Sequence, residues 1–131
     1  MSDSIVNRIQ RRRGDLFAEA CPSRSVLEHV TSRWGSLVLI LLRDGTKRFS
    51  EIRREIGGVS EKMLAQTLQA LEGDGFLTRK VYPTVPPRVE YTLTPLGHDV
   101  SEHVLVLALW VEKNLGEVMK RRESHAASRK N

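Results

Sequence analysis

The sequence predicts a mainly α-helical domain with one small β-hairpin, an α+β fold, and three observations support this. Apolar residues recur with the period of a helix through most of the chain, but the period changes to 2 between Leu77 and Leu93. The 131 residues, 40% hydrophobic and 28% charged, have the composition of a single globular domain. We divide the chain into an N-terminal arm or helix (1–21), a central domain (22–94), a long helix (95–123) and a disordered tail (124–131).

Two helices are predicted near the start of the chain. Pro22 suits the first position of a helix because its missing N–H costs nothing there, which makes Cys21 the expected N-cap. The next helix, WGSLVLILLRDG, is apolar on nearly all sides, so we expect it to be almost completely buried. Gly45 is its expected stop.

The stretch FSEIRREIGGVSEKML predicts a short helix, a tight turn and a second helix. Ser50 is the expected cap of the short helix, and Gly57 and Gly58 end it. Ser60 is the expected cap of the longer helix that follows.

This longer helix has one apolar and one polar face. Leu64, Leu68 and Leu71 form the apolar stripe, and the opposite side carries polar residues with little charge. Such a face suits hydrogen bonding to base edges, and the free N–H groups of the first turn suit a phosphate. An ordinary amphipathic surface helix is the alternative. The residues predicted to face DNA are Ser60, Lys62, Met63 and Gln66.

A proline-rich loop joins the two predicted strands, LTRKVY and RVEYTL. Three of the five prolines of the chain lie in this loop, Pro83 to Pro87, and hold it extended, so it has few conformations to lose on binding. Cations beside a stiff loop are suited to phosphates or to a minor groove, although a solvated sheet surface is the alternative. These cations are Arg79, Lys80 and Arg88.

Thr94 is the expected N-cap and Pro95 the expected first residue of a long final helix, which is predicted to run to about Arg122. Within it, VLVLALWV places eight apolar residues in succession, which cover every face of a helix. One small domain can shield only one side, so a second copy of the chain is the simplest source of cover, and a membrane-surface segment is the alternative. The predicted homodimer interface consists of Val104, Leu105, Leu107, Ala108, Trp110, Val111 and Leu115.

Cys21 is the only cysteine, at the predicted start of a helix and close to Arg24. The partial positive charge there favours a thiolate, which gives the hypothesis of a sensor of oxidants or electrophiles. A small buried apolar residue is the alternative, because free cysteines are commonly buried.

Net charge and motifs narrow the function classes. The charge of +5 favours a polyanionic partner, nucleic acid or an anionic membrane. Arg11 to Arg13 are either a solvated charge run or an arm that follows a DNA backbone.

Motifs of catalytic and metal sites are missing from the sequence. The histidines show no i, i+4 pair, one cysteine cannot build a structural zinc site, and the GGVS glycines lack a following GK[ST]. We therefore expect no enzyme, no metal and no cofactor, and a cytoplasmic protein without signal peptide or spanning helix.

A helix-turn-helix, a stiff basic hairpin and a long terminal helix are together the parts of a winged-helix DNA-binding domain. From Cys21 to Gly97, and loosely through the last helix, the sequence resembles the HxlR-type family of bacterial transcriptional regulators, which are MarR-like; RFSEIRREIGGVSEKML and VPPRVEYTLTPLG are the most specific parts. The resemblance implies a winged helix-turn-helix with a long C-terminal dimerisation helix.

The resemblance also implies a function. It suggests a homodimer, expected to be a repressor, that binds a palindromic operator with the helix from Ser60 in the major groove and the Pro83 to Pro87 loop as the wing. Some relatives are regulated through a cysteine at the position of Cys21, so an oxidant, an electrophile or a small molecule is the expected signal. A winged helix that binds another protein, without reading DNA, is the alternative function.

Overall fold

The structure, a computed structural model, describes residues 4–10 and 16–130, so the predicted basic arm Arg11 to Arg13 lies outside the described residues. The helices are α1 (Ile5–Gln10), α2 (Pro22–Thr31), α3 (Arg33–Leu41), α4 (Phe49–Glu55), α5 (Glu61–Gly73) and α6 (Pro95–Arg129), with a 3-10 turn at Leu42–Asp44. The strands are β1 (Lys47–Arg48), β2 (Leu77–Tyr82) and β3 (Arg88–Leu93).

The predicted helix caps are confirmed at three of four positions. Cys21 occupies the N-cap of α2 before Pro22. The Ser60 hydroxyl accepts the N–H of Met63 at 3.1 Å, and the hydroxyl of Thr94 caps α6 in the same way. Each bond satisfies one of the backbone donors that the first turn of a helix leaves unpaired.

The fourth cap, Ser50, is wrong, because α4 begins at Phe49 and its N-cap is Arg48, two residues before Ser50. The side chain of Arg48 has no acceptor, and Glu51 instead reaches back to accept the backbone N–H of Arg48 at 2.9 Å. This bond, together with the nearby cations, holds the pKa of Glu51 below its ordinary value.

The core lies between α3, α4, α5 and the sheet. Leu39, Ile52 and Leu64 are fully buried there, as are Leu68 and Leu71, so the apolar stripe predicted for α5 is confirmed. The prediction that α3 is almost completely buried is wrong on one side, because Leu37 is 42% exposed. Helix α3 contacts α2, α5 and α6, and these contacts cover most of its surface but not the side that carries Leu37.

The sheet is antiparallel with strand order β1-β3-β2. The predicted hairpin is confirmed, with Leu77 opposite Leu93 at one end and Tyr82 opposite Arg88 at the other. A third strand, β1, adds to β3 with Arg48 opposite Glu90, and two residues are too short for periodicity to reveal it. One face of the hairpin packs on the core, and the other faces outward.

Helix α6 is longer than predicted. It continues to Arg129, so the expected end near Arg122 and the expected disordered tail are wrong. The added residues are mainly good helix formers, and 35 residues span about 50 Å at 1.5 Å per residue. None of the described helices combines the length and the apolar content needed to cross a membrane.

Only the start of α6 is fixed to the body of the protein. Gly97 lies so close to the Phe76 carbonyl that no side chain fits between them. The guanidinium of Arg43 donates to the buried hydroxyl of Ser101 at 2.8 Å. Beyond Val104, the helix has mostly exposed side chains.

Candidate nucleic-acid interface

Helix α5 presents a polar outer face above its buried leucines. Lys62 and Gln66 lie one turn apart on this face and are exposed, and Met63 beside them is half exposed. Ser60 stands at the tip of the helix as its cap. The four residues predicted to face DNA are therefore all accessible and belong to one end of one helix.

Helix α4 adds cations that the prediction did not include. Arg53 and Arg54 are exposed on it, and Arg48 is exposed at its N-cap. Arg53 Nη1 lies 4.0 Å from a carboxylate oxygen of Glu61 in the first turn of α5, so the two helices present one basic and polar surface. The density of basic residues in KRFSEIRRE is the signal that could have found them.

The hairpin separates the three predicted wing cations. Arg79 is opposite Tyr91 on the face that looks toward α5, where both residues line a groove with Gln69 and Glu72. Lys80 and Arg88 occupy the other face, because neighbouring residues of a strand point to opposite sides. The cations therefore do not form a single cluster.

The wing loop is held by its own bonds as well as by its prolines. The hydroxyl of Thr84 donates to the Pro86 carbonyl at 2.7 Å, and the N–H of Thr84 donates to the Tyr82 carbonyl at 2.8 Å. Val85 at the tip is fully exposed. The prediction of a stiff, accessible loop agrees with this geometry.

Phe49 lies where α4, α5 and the wing meet. It lines one groove with Ala65 and Gln69 of α5, and a second groove with residues 84–89 of the wing loop and the start of β3. The half-buried ring also packs against the core. Phe49 thus lies between the two grooves that separate α4, α5 and the wing.

Cys21 is half-buried at the start of α2. Its backbone N–H donates to the Ala18 carbonyl at 3.2 Å. Next to it, an apolar groove is lined by Leu16, Pro22, Val26, Leu27 and Val30. Cys21 is thus neither fully exposed nor fully buried.

A hydrogen bond that sequence reasoning missed connects the helix of Cys21 with α5. His29 Nδ1, in the last turn of α2, lies 2.6 Å from a carboxylate oxygen of Asp74. Asp74 is the C-cap of α5. The two residues are 45 positions apart, and nothing in their local sequence indicates that they meet.

The residues predicted for the dimer interface divide into two groups. Val104 packs against the core of its own chain, and Leu105 and Ala108 are half-buried. The others are exposed, namely Leu107, Trp110, Val111 and Leu115. Val106, Leu109 and Met119 are also exposed and extend the apolar surface beyond the prediction. Val106 and Leu109 lie within VLVLALWV and could have been included on that ground.

Within the part of the chain that the structure describes, no three histidine, cysteine, aspartate or glutamate side chains are grouped so that they could hold a metal ion. The residues of the site are exposed cations, amides and a stiff loop. Its chemistry is that of binding a polyanion.

Known proteins are similar to this chain in sequence and in fold. The profile of the HxlR-like helix-turn-helix family matches residues 29–119, a segment that begins after Cys21. The chain is 67% identical over 118 residues to the uncharacterized HTH-type transcriptional regulator YtfH of Escherichia coli K12, covering 90% of this chain and 94% of that protein.

Two solved structures extend the comparison. YtfH from Salmonella typhimurium superimposes with a TM-score of 0.81 at 68% identity, over 84% of this chain and 98% of that one. The redox regulator HypR in its reduced form gives a TM-score of 0.68 at 35% identity, over 76% and 98%. The fold is thus that of the winged-helix regulators, which are DNA-binding proteins and not enzymes. The chain belongs to the HxlR-like helix-turn-helix family of transcriptional regulators.

Proposed function

We propose that this regulator is a homodimeric repressor that binds an inverted-repeat operator in double-stranded DNA, in the cytoplasm of a bacterium. Helix α5 enters the major groove, and the Pro83 to Pro87 loop acts as the wing. The observation that carries the proposal is the exposed polar face of α5 on a fully buried leucine stripe, beside the cations of α4. A rigid helix with such a face can be held against base edges.

Each element has a separate task in this proposal. Gln66 reads a base edge, and Lys62 contacts a phosphate or a guanine, with Ser60 and Met63 beside them. Arg54 and the other α4 cations bind phosphates and set the position of α5. Arg79, Lys80 and Arg88 bind the DNA from the hairpin, at phosphates or the minor groove.

Dimerisation through α6 supplies the two-fold symmetry. Trp110 is 57% exposed and Leu109 is 58% exposed, although both are large apolar side chains. A second copy would cover them and would place two α5 helices about 34 Å apart, one turn of DNA.

A titration of DNA binding at two salt concentrations tests the proposal. If a dimer neutralises about six to ten phosphates, affinity should fall about 10³- to 10⁵-fold between about 50 and 200 mM salt. Promoter DNA should bind more tightly than random DNA. Gln66→Ala should reduce that preference, whereas Arg54→Gln should weaken binding to all sequences equally. Absence of any sequence preference in the unmodified protein would favour the protein-binding alternative.

We further propose that an oxidant or electrophile acts through Cys21. HypR, a similar protein, is a redox regulator with structures of its reduced and oxidised forms, and this supports the hypothesis. Diamide removes two hydrogen atoms from two thiols and joins the sulfurs, so Cys21 would bond to a second chain or to a small thiol. The protein should release DNA under diamide and the Cys21→Ser variant should not. An equal response of both proteins would exclude this route.

The signal would reach DNA by changing the separation of the two α5 helices. Helix α2 offers a short connection, because Cys21 is its N-cap and His29 in its last turn bonds to Asp74, the C-cap of α5. Spin labels attached at position 60 of both subunits, through a residue other than cysteine, would report the separation. An unchanged distance under diamide would contradict this route.

A further inference from the structure

Four charged or aromatic side chains meet on the outer face of the hairpin. Tyr82 is directly opposite Arg88, and Lys80 is directly opposite Glu90, two positions apart in the β2–β3 ladder and therefore on the same face. Because all four lie on the face that points away from the core, none is needed to fill the interior. Their arrangement calls for another explanation.

The ring of Tyr82 attracts both cations. The guanidinium carbon of Arg88 lies 4.2 Å from the ring centroid, and Lys80 Nζ lies 4.9 Å from it. Both distances are within the range of about 6 Å over which a cation is attracted by an aromatic face. One ring thus restrains the two wing cations that share this face.

Glu90 restrains Arg88 from a second direction. Its carboxylate oxygen lies 3.4 Å from Arg88 Nε, which is buried and makes no hydrogen bond to any described residue. The Arg88 side chain as a whole is still 36% exposed. Its terminal nitrogens are therefore the polar atoms that remain to meet a partner.

We propose that Tyr82 is a positioning residue for DNA binding, which rests on the function proposed above. Its ring holds Arg88 and Lys80 in place before DNA arrives, so that fewer side-chain conformations are lost when they reach phosphates. An arginine on an aromatic ring can keep its terminal nitrogens available while its flat face is occupied. A purely structural tyrosine would instead affect only the stability of the hairpin.

Salt dependence separates these two roles. The probe is a fluorescent duplex of random sequence, about 40 base pairs long, titrated with full-length protein between about 50 and 200 mM NaCl. The salt slope is the slope of the logarithm of the binding constant against the logarithm of the salt concentration. Arg88→Gln should lower its magnitude by about 0.9 for each phosphate that the variant no longer neutralises. Tyr82→Leu should weaken binding about three- to tenfold and lower the slope in the same direction, and Tyr82→Phe, which keeps the ring, should bind like the original protein.

A double variant tests whether Tyr82 acts through Arg88. Tyr82→Leu combined with Arg88→Gln should bind less than about twofold more weakly than Arg88→Gln alone. Val81→Ala, on the same strand but the other face, is the matched control and should leave the slope unchanged. If Tyr82→Leu does not fold, as judged by circular dichroism, Tyr82→Thr removes the ring and keeps a strand-forming residue.

The outcomes are distinct. An original protein that does not bind the duplex would overturn the proposed function and this inference together. If the original protein binds, three results would each overturn the inference alone. They are a salt slope of Arg88→Gln equal to that of the original protein, an affinity of Tyr82→Leu equal to that of the original protein, and losses of affinity that are fully additive in the double variant.

Discussion

Helices α5 and α6 both carry large apolar residues, but α5 buries its leucines within its own chain, whereas most of the apolar residues of α6 beyond Val104 are exposed. Leu64, Leu68 and Leu71 of α5 are buried against the core. Val106, Leu109 and Trp110 of α6 are more than half exposed. The difference follows from spacing, because the α5 leucines recur on one face and the α6 residues cover all faces.

If α6 forms the proposed dimer, this contrast separates two kinds of stability. The α5 stripe stabilises the folded chain at any protein concentration. The α6 surface can stabilise only an assembly, whose population depends on concentration. Substitutions in the two helices should therefore differ in how their effects change with protein concentration.

The largest effect is expected in α5. Leu64→Ala should lower the free energy of unfolding by about 3 to 5 kcal/mol, because it leaves a cavity in a closely packed core. Urea denaturation at several protein concentrations should give the same loss each time. Leu109→Ala is the matched control, and its effect should vary with concentration. If the loss of unfolding free energy in Leu64→Ala depended on protein concentration, α5 and α6 would not differ in the way proposed.

The next effect concerns α6 itself. Trp110→Ala should raise the dissociation constant of the dimer about 30-fold, which corresponds to about 2 kcal/mol for a central aromatic residue. Sedimentation analysis measures it, and Glu112→Ala, an exposed charge in the same helical turn, should change it little. An original protein that remains a folded monomer at high concentration would contradict the dimer.

One glycine of α6 lies in the part that packs against the body of the protein, and another lies in the exposed part beyond Val104. Substituting each with alanine should change stability in opposite directions. Gly97→Ala should destabilise the fold by about 1 to 3 kcal/mol, because the added carbon collides with the Phe76 carbonyl. Gly116 has open space around it, so Gly116→Ala should stabilise the helix by about 0.5 to 1 kcal/mol. Thermal unfolding measures both, and equal signs for the two changes would mean that α6 is attached differently.

The smallest effect is expected in α4, whose first turn is satisfied by its own chain. The hydrogen bond from Arg48 lowers the pKa of Glu51 from 4.5, so its contribution to stability is complete above that pH and is lost as the pH falls through the lowered pKa. Between about pH 6 and pH 3 the original protein should therefore lose more stability than Glu51→Gln. Urea midpoints at each pH provide the measurement, and parallel curves would show that Glu51 does not contribute.

The local elements were largely readable in the sequence. The leucine spacing of α5, its Ser60 cap and the two hairpin strands were predicted correctly, and each depends on residues close together in the chain. Where the local signal was short or ambiguous the prediction failed, as at the start of α4 and the end of α6. A polar serine in the first turn resembles a cap whether or not it is one.

The candidate DNA surface was only partly readable. The polar face of α5 follows from helical phase alone, whereas the addition of Arg53 depends on how α4 lies against the start of α5. Likewise, Arg88 could be matched with Tyr82 only once the pairing register across the proline loop was known.

The sequence by itself determined which residues share a face of each helix or strand, because the backbone period fixes side-chain direction within one element. Only the tertiary structure decided which faces meet. It turned Val104 inward, left Trp110 outward and placed Arg79 on the opposite side of the hairpin from Arg88. The physical reason is that burial and ion pairing depend on distances between elements, which local spacing does not contain.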